Sequence, residues 1–310
     1  MLASRLRAAL IRAFAVVSWL AGPARSESEY SLSDTLAILA PGEDRAALYL
    51  MREQFVRSMR PLPPERIFLD NAALGLLPQK SYLAALVKPG IHCITGISPT
   101  ADMCLELRAG SICFLRLREI IDENDQVVTE WLLDSPGLVG DALKESGVQL
   151  VGLTDKGRAR LEKRARSPAR SPEWEAEHRR MATVAFPFTL EEIWYEDPLD
   201  PVSLKHDFQK SRIGNLTVAT DTIRFASDRK SLMIPSDRII SVRFGGTRFI
   251  GTAPWVDVQY ETDSGPRTWS FADSRPISAT TTYNRLFMAI ETLREARAVA
   301  ADSSGAGGAR

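Results

Sequence analysis

Residues 213–225, Ile213-Gly-Asn-Leu-Thr-Val-Ala-Thr-Asp-Thr-Ile-Arg-Phe225, decide the fold class. Leu216 and Val218 alternate with polar neighbours, Thr220-Asp221 reverses the chain, and Ile223 and Phe225 alternate on the return. A period of two on both sides of a turn marks a half-buried antiparallel hairpin. The same rhythm continues downstream. Asp228-Arg-Lys230 turns the chain into Leu232 and Ile234, and a strand follows through Ile239, Ile240, Val242 and Phe244 to the break at Gly245-Gly246. Val256, Val258 and Tyr260 form a further strand, Asp263-Ser-Gly-Pro266 turns, and Trp269 and Phe271 return. Tyr283, Leu286, Phe287, Ile290 and Leu293 then fall at helical spacing, which predicts one amphipathic helix of about 17 residues over an open barrel end.

Within this module Ile213–Val218, Thr222–Phe225 and Ile234–Ile239 resemble pleckstrin-homology-like modules of the GRAM type, over about residues 212–295. The resemblance implies a binding or scaffolding role. Only Lys210 and Arg212 stand where lipid-binding members carry a basic hairpin, so lipid specificity is not implied.

Upstream the chain again reads as short strands. Ala46–Met51 is an apolar run of strand length, and Arg66-Ile-Phe-Leu-Asp70 leads into a turn at Asn71. Ser81–Val87 reaches Lys88-Pro-Gly90, then Ile91-His-Cys-Ile-Thr95. Met103, Leu105 and Leu107 alternate before Arg108-Ala-Gly-Ser111, with Ile112 to Leu117 as the return strand and residues 126–133 as another. Ser135 and Pro136 start one short helix. Repeated short strands between Pro and Gly predict an all-β sandwich. Ala47–Arg52, Ile67–Asn71, Tyr82, Lys88-Pro-Gly-Ile-His92 and the Ala109-Gly110 turn resemble the bacterial domain of unknown function 2846 family, over about residues 45–120. The resemblance implies export and brings no catalytic residues. This chain has no lipid-attachment Cys at the start of the expected mature protein.

The predicted organisation is therefore mainly β: an N-terminal β-sandwich over 27–154, a basic linker over 155–180, and a pleckstrin-homology-like β-barrel capped by one helix over 181–297. Residues 298–310, rich in Ala, Gly and Ser, read as a disordered tail. Residues 1–26 carry Arg5, Arg7, Arg12 and Arg25 without an acid, then ten uncharged residues and small residues near Ala24 and Ser26. That is the layout of a secretory signal peptide, so a periplasmic or secreted protein is expected.

The 310 residues hold 39 Lys+Arg against 39 Asp+Glu, a balance that argues against a nucleic-acid partner. Positive charge concentrates between 156 and 170, where Lys156, Arg158, Arg160, Lys163, Arg164 and Arg166 face a single acid, Glu162. This strip reads as a solvated linker helix, or as a weak contact to an anionic lipid surface.

Of the three cysteines, Cys104 and Cys113 are the candidate disulfide if Arg108–Ser111 closes a hairpin, with Cys93 the competitor and buried thiols the alternative. Adjacent His92 and Cys93 point to opposite faces of a strand, and no metal-ligand spacing occurs. His178 and His206 have no recognisable nucleophile beside them, and no nucleophile elbow or phosphate-cradling loop is present. No cofactor or metal is expected. Among the tryptophans, Trp131 and Trp269 sit inside strand patterns and read as core. The function expected is that of an exported, non-enzymatic protein-binding or scaffolding module with an envelope protein as partner. The alternatives are lipid-surface binding through the linker and a hydrolase with an unrecognised site.

Overall fold

In the computed structural model, residues 30–34, 36–53, 62–96, 102–121, 127–164, 171–197, 213–228, 230–247, 253–275 and 279–305 are described. The expected signal peptide and His206 lie outside them.

All seven residues of β2 (Ala46–Arg52) are buried, and the pleat sends them into two cores. Leu48 and Leu50 join the main core, whereas Ala47, Tyr49 and Met51 pack with Val139, Ala142 and Leu143 of helix α1 (Val139–Glu145). A strand covered on both faces needs an unbroken apolar run, which explains Ala-Ala-Leu-Tyr-Leu-Met. Its sheet has the order β1-β10-β5-β2-β8-β9, built from β1 (Tyr30–Ser33), β5 (Ser81–Val87), β8 (Ile112–Ile121), β9 (Val127–Asp134) and β10 (Gln149–Leu153). The pairings β2–β8 and β5–β10 are parallel, so the sheet is mixed. A second sheet, β4-β3-β6-β7, comprises β3 (Glu65–Leu69), β4 (Ala72–Leu77), β6 (Gly90–Thr95) and β7 (Met103–Leu107). Its Ile67, Leu77, Ile94 and Leu105 meet Leu48, Leu50 and Leu115 in one core, which makes the sandwich.

One turn behaves differently from the sequence reading. Arg108–Ser111 closes no hairpin: β7 pairs with β6, while β8 pairs with β2 and β9. The chain crosses there from one sheet to the other, tied by Gly110 N–H to Arg45 O at 2.8 Å and Ala47 N–H to Ser111 O at 2.9 Å. Alternation along β7 and β8 is the same whether two strands pair or face each other across a core.

The segment 155–180 is more structured than a linker. Helix α2 (Asp155–Arg164) matches the expected basic helix, and α3 (Pro172–Met181) follows. Pro172 occupies the first turn of α3, and Ser171 Oγ accepts from Trp174 N–H at 3.1 Å as its cap. Ser135 precedes the turn into α1 without a side-chain capping bond.

The C-terminal module is a seven-stranded antiparallel sheet of order β14-β13-β12-β11-β17-β16-β15. Its strands are β11 (Phe188–Glu196), β12 (Ile213–Val218), β13 (Thr222–Ala226), β14 (Ser231–Pro235), β15 (Ile239–Thr247), β16 (Pro254–Thr262) and β17 (Gly265–Asp273). Seven strands followed by helix α4 (Ala279–Gly305) reproduce the pleckstrin-homology-like element order. The predicted stripe is buried: Tyr283, Leu286, Phe287, Ile290 and Leu293 all lie in the core. The helix outruns its predicted 17 residues, and its backbone continues through Gly305 where a tail was expected. Ala296, Ala298, Ala300 and Ala301 favour that continuation. The central strand β11 has no clean alternation in sequence, because a register shift between Leu190 and Ile193, with Glu192 at φ 57°, interrupts the period.

Candidate functional site: the interdomain cleft

The disulfide joins Cys93 to Cys104, and Cys113 is a buried free thiol, which corrects the Cys104–Cys113 pairing. Cys93 and Cys104 are register partners on β6 and β7 with Cα atoms 4.0 Å apart. Cys113 lies on β8 in the other sheet, so no hairpin brings it to Cys104. Burial pushes the Cys113 thiol up to about 12.

This disulfide is the seat of α3. Trp174 and Ala182 pack against Cys93 and Cys104, while Arg179 donates from Nη1 to Ile91 O at 3.0 Å and from Nε to Glu175 at 2.9 Å. His178 stacks on Trp174 with ring centroids 4.0 Å apart and keeps its Nδ1 at 2.9 Å from the Trp174 carbonyl. The platform fixes the end of α3, so Arg180 and Met181 stand at the edge of a cleft.

The opposite wall is α4, held by the edge strand β9. Asn284 accepts from Leu133 N–H at 3.0 Å and donates to Trp131 O at 2.7 Å; Tyr283 donates to Leu133 O at 2.5 Å. Asp134, nearly fully buried, accepts from Arg116 Nε at 2.5 Å and from Phe244 N–H at 3.1 Å. Burial, reinforced by nearby Asp134, raises the Tyr283 hydroxyl well above its ordinary range, so it acts here as a neutral donor. Edge-strand groups that would otherwise meet water or another chain are thus engaged by one helix.

Between these walls lies a cleft of about 670 Å³. Met103, Trp131, Met181 and Met288 give it apolar surface, and Arg180, Thr183, Thr281 and Arg285 are exposed at its rim. Glu130, also in the wall, is engaged by Arg118 at 2.7 Å and by Thr280 Oγ1 at 2.6 Å. Asp102 accepts from Gly96 N–H at 3.3 Å. Arg285 lies over the Phe188 ring, 4.7 Å from its centroid. An apolar floor under a polar rim is the anatomy of a binding surface.

The basic strip is only partly placed. Lys156, Arg158 and Arg160 are exposed on α2; Lys163 and Arg164 belong to its last turn, and Arg166 lies outside the described residues. Lys156, Arg158 and Arg160 do not line the cleft. His92 is away from it as well, held by Asp70 at 2.5 Å and by the Lys88 carbonyl at 2.7 Å. Trp131 and Trp269 are buried as expected; Trp194 stacks beside Trp255, which is itself buried. Among the described residues no cluster of three or more His, Cys, Asp or Glu side chains suits a metal ion, and no helix is long and apolar enough to cross a membrane. The sequence reading missed the cleft because its residues come from four separate segments, and no local pattern links them.

No family model matches the chain, so the resemblance of residues 45–120 to the domain of unknown function 2846 family gains no support there, and no curated protein matches. Among solved structures, the chain is similar to the Vps36 N-terminal PH domain at 15% identity, over 34% of this chain and 78% of that one, with a TM-score of 0.23. The fold assignment rests on the strand order and the C-terminal helix rather than on that likeness.

Proposed function

We propose that this is an exported, non-enzymatic binding protein that holds a partner protein in the cleft between its two β domains. The observation that carries this reading is the cleft itself: about 670 Å³, apolar inside and polar at the rim, with its α4 wall pinned to β9 through Asn284 and Tyr283. A rigid preformed site lowers the ordering cost of binding. Export is supported by the N-terminal sequence pattern and by the Cys93–Cys104 disulfide, since such bonds persist in oxidising compartments.

A photo-crosslinking residue at Thr281, on the cleft rim, is expected to trap a polypeptide in the cell envelope. The same residue at Met233, exposed on β14 and outside the cleft lining, is the control and should trap none. Equal labelling from both positions, or from neither, would refute the reading.

A second reading has its own observation, the exposure of Lys156, Arg158 and Arg160 along α2. Basic residues near an anionic surface contribute about 1 kcal/mol each. This reading predicts liposome binding that fades with salt and disappears in the Arg158→Ala, Arg160→Ala, Lys163→Ala, Arg164→Ala variant; unchanged binding rejects it.

A further inference from the structure

Resting on the protein-binding reading above, we propose that the cleft receives an extended peptide segment whose carboxylate side chains alternate with apolar ones. The apolar side chains seat among Met103, Met181, Met288 and Trp131, and the carboxylates lie between Arg180 and Arg285.

The rim of the cleft carries positive charge that its acids do not match. The acids of the cleft are already engaged: Glu130 by Arg118 and Thr280, Asp102 by the Gly96 amide. The two rim arginines are differently placed. Among the described residues Arg180 is paired with Glu177 alone, at 3.9 Å, with both side chains well exposed, an arrangement worth little in water. Arg285 has the face of Phe188 beneath it. Guanidinium groups in such positions match carboxylates in a bidentate manner.

The apolar part has its own logic. Three unbranched thioether side chains adapt to side chains of different shape at low cost. The exposed hydroxyls of Thr183 and Thr281 serve the rest of a peptide backbone. An alternating segment suits this geometry because neighbouring side chains of an extended chain point in opposite directions.

The test uses the full chain and a fluorescein-labelled dodecapeptide of alternating Leu and Asp, with its Leu/Asn counterpart as comparison, read by fluorescence polarisation. The Asp peptide is expected to bind at least about tenfold more tightly than the Asn peptide. The Arg180→Gln, Arg285→Gln variant should abolish that difference while Met233→Gln preserves it. Met288→Glu should weaken the Asp peptide by a similar factor, and near-UV circular dichroism verifies that each variant is folded. Equal binding of the two peptides, or an unchanged preference in the arginine variant, overturns the proposal. So does binding of dodecanoate in place of either peptide, which would assign the cleft to a free amphiphile. If no peptide binds but the Thr281 crosslinker still traps an envelope polypeptide, this inference fails while the protein-binding reading survives. If the crosslinker also traps nothing, both fail.

Discussion

The carboxamide of Asn284 satisfies the backbone of Leu133 from a distance of 151 residues in the chain, its Oδ1 accepting the Leu133 N–H at 3.0 Å. Its Nδ2 donates to Trp131 O at 2.7 Å, so one side chain mimics the missing neighbour of an edge strand. The C-terminal helix therefore serves both β modules. Its apolar stripe completes the barrel, while Tyr283 and Asn284 close the sandwich edge.

Asn284→Ala should strand two buried backbone groups and cost about 2–4 kcal/mol. Urea unfolding followed by tryptophan fluorescence measures this loss. A change within 0.5 kcal/mol of zero, roughly that of an ordinary surface substitution, would mean that the helix does not hold the strand edge.

Arg52 and Glu119 form a buried ion pair, the guanidinium Nε 2.9 Å from the carboxylate and its Nη1 donating to Pro63 O and Leu77 O, each at 2.8 Å. Arg52→Met leaves Glu119 as an unmatched buried carboxylate and should cost about 3–5 kcal/mol. Arg52→Met combined with Glu119→Leu should recover part of that loss, because the double variant carries no buried charge. Equal destabilisation of the single and double variants, by chemical denaturation, would contradict this account.

The thiol chemistry separates the cysteines. Non-reducing peptide mapping should give one cross-link, between Cys93 and Cys104. Iodoacetamide at pH 8 should label native Cys113 slowly and the unfolded chain quickly, because burial raises this thiol to about 12 and shields it. Replacing both Cys93 and Cys104 by Ala should cost about 2–3 kcal/mol, as expected for a loop of this length, and should loosen α3 with it. A cross-link involving Cys113 would sink the assignment of sheets.

Glu295 on α4 reaches Arg108 at 2.8 Å, yet its carboxyl titrates above the ordinary value of 4.5. Burial is the main cause, Glu291 adds to it, and Arg108 and Arg294 oppose it. The folded chain keeps this proton over a range where the unfolded chain has released it. Stability attributable to Glu295 therefore falls as pH rises from about 4.5 towards neutrality, and the penalty is complete above the raised folded value. Glu295→Gln should flatten that part of the profile in urea midpoints recorded across the range. A variant curve parallel to the wild-type curve would show that Glu295 does not set the slope.

Much of the fold is legible in local pattern. The alternation at Leu216, Val218, Ile223 and Phe225 marks β12 and β13, and the stripe from Tyr283 to Leu293 marks α4. Strands β1 and β10 were not legible: Tyr-Ser-Leu-Ser and Gln-Leu-Val-Gly-Leu are too short to show a clear period, and they pair with each other and, through β10, with β5. The register shift near Glu192 likewise concealed β11, although it lies in the middle of its sheet. Of the candidate site residues, the exposure of Lys156, Arg158 and Arg160 followed from composition, since a helix with so few apolar residues has nothing to bury.

The sequence alone determined the mainly β class, the strand-rich C-terminal module with its terminal helix, and the concentration of positive charge in α2. Each is a short-range property, carried by side-chain period and by turn residues a few positions apart. Tertiary structure alone decided which strands pair, and therefore that Cys93 rather than Cys113 meets Cys104. It also decided that Asn284 completes β9, and that Arg180, Arg285, Met103 and Trp131 share one cleft. Sheet partnership is set by burial summed over distant segments, and an alternating strand presents the same face to any partner that can cover it.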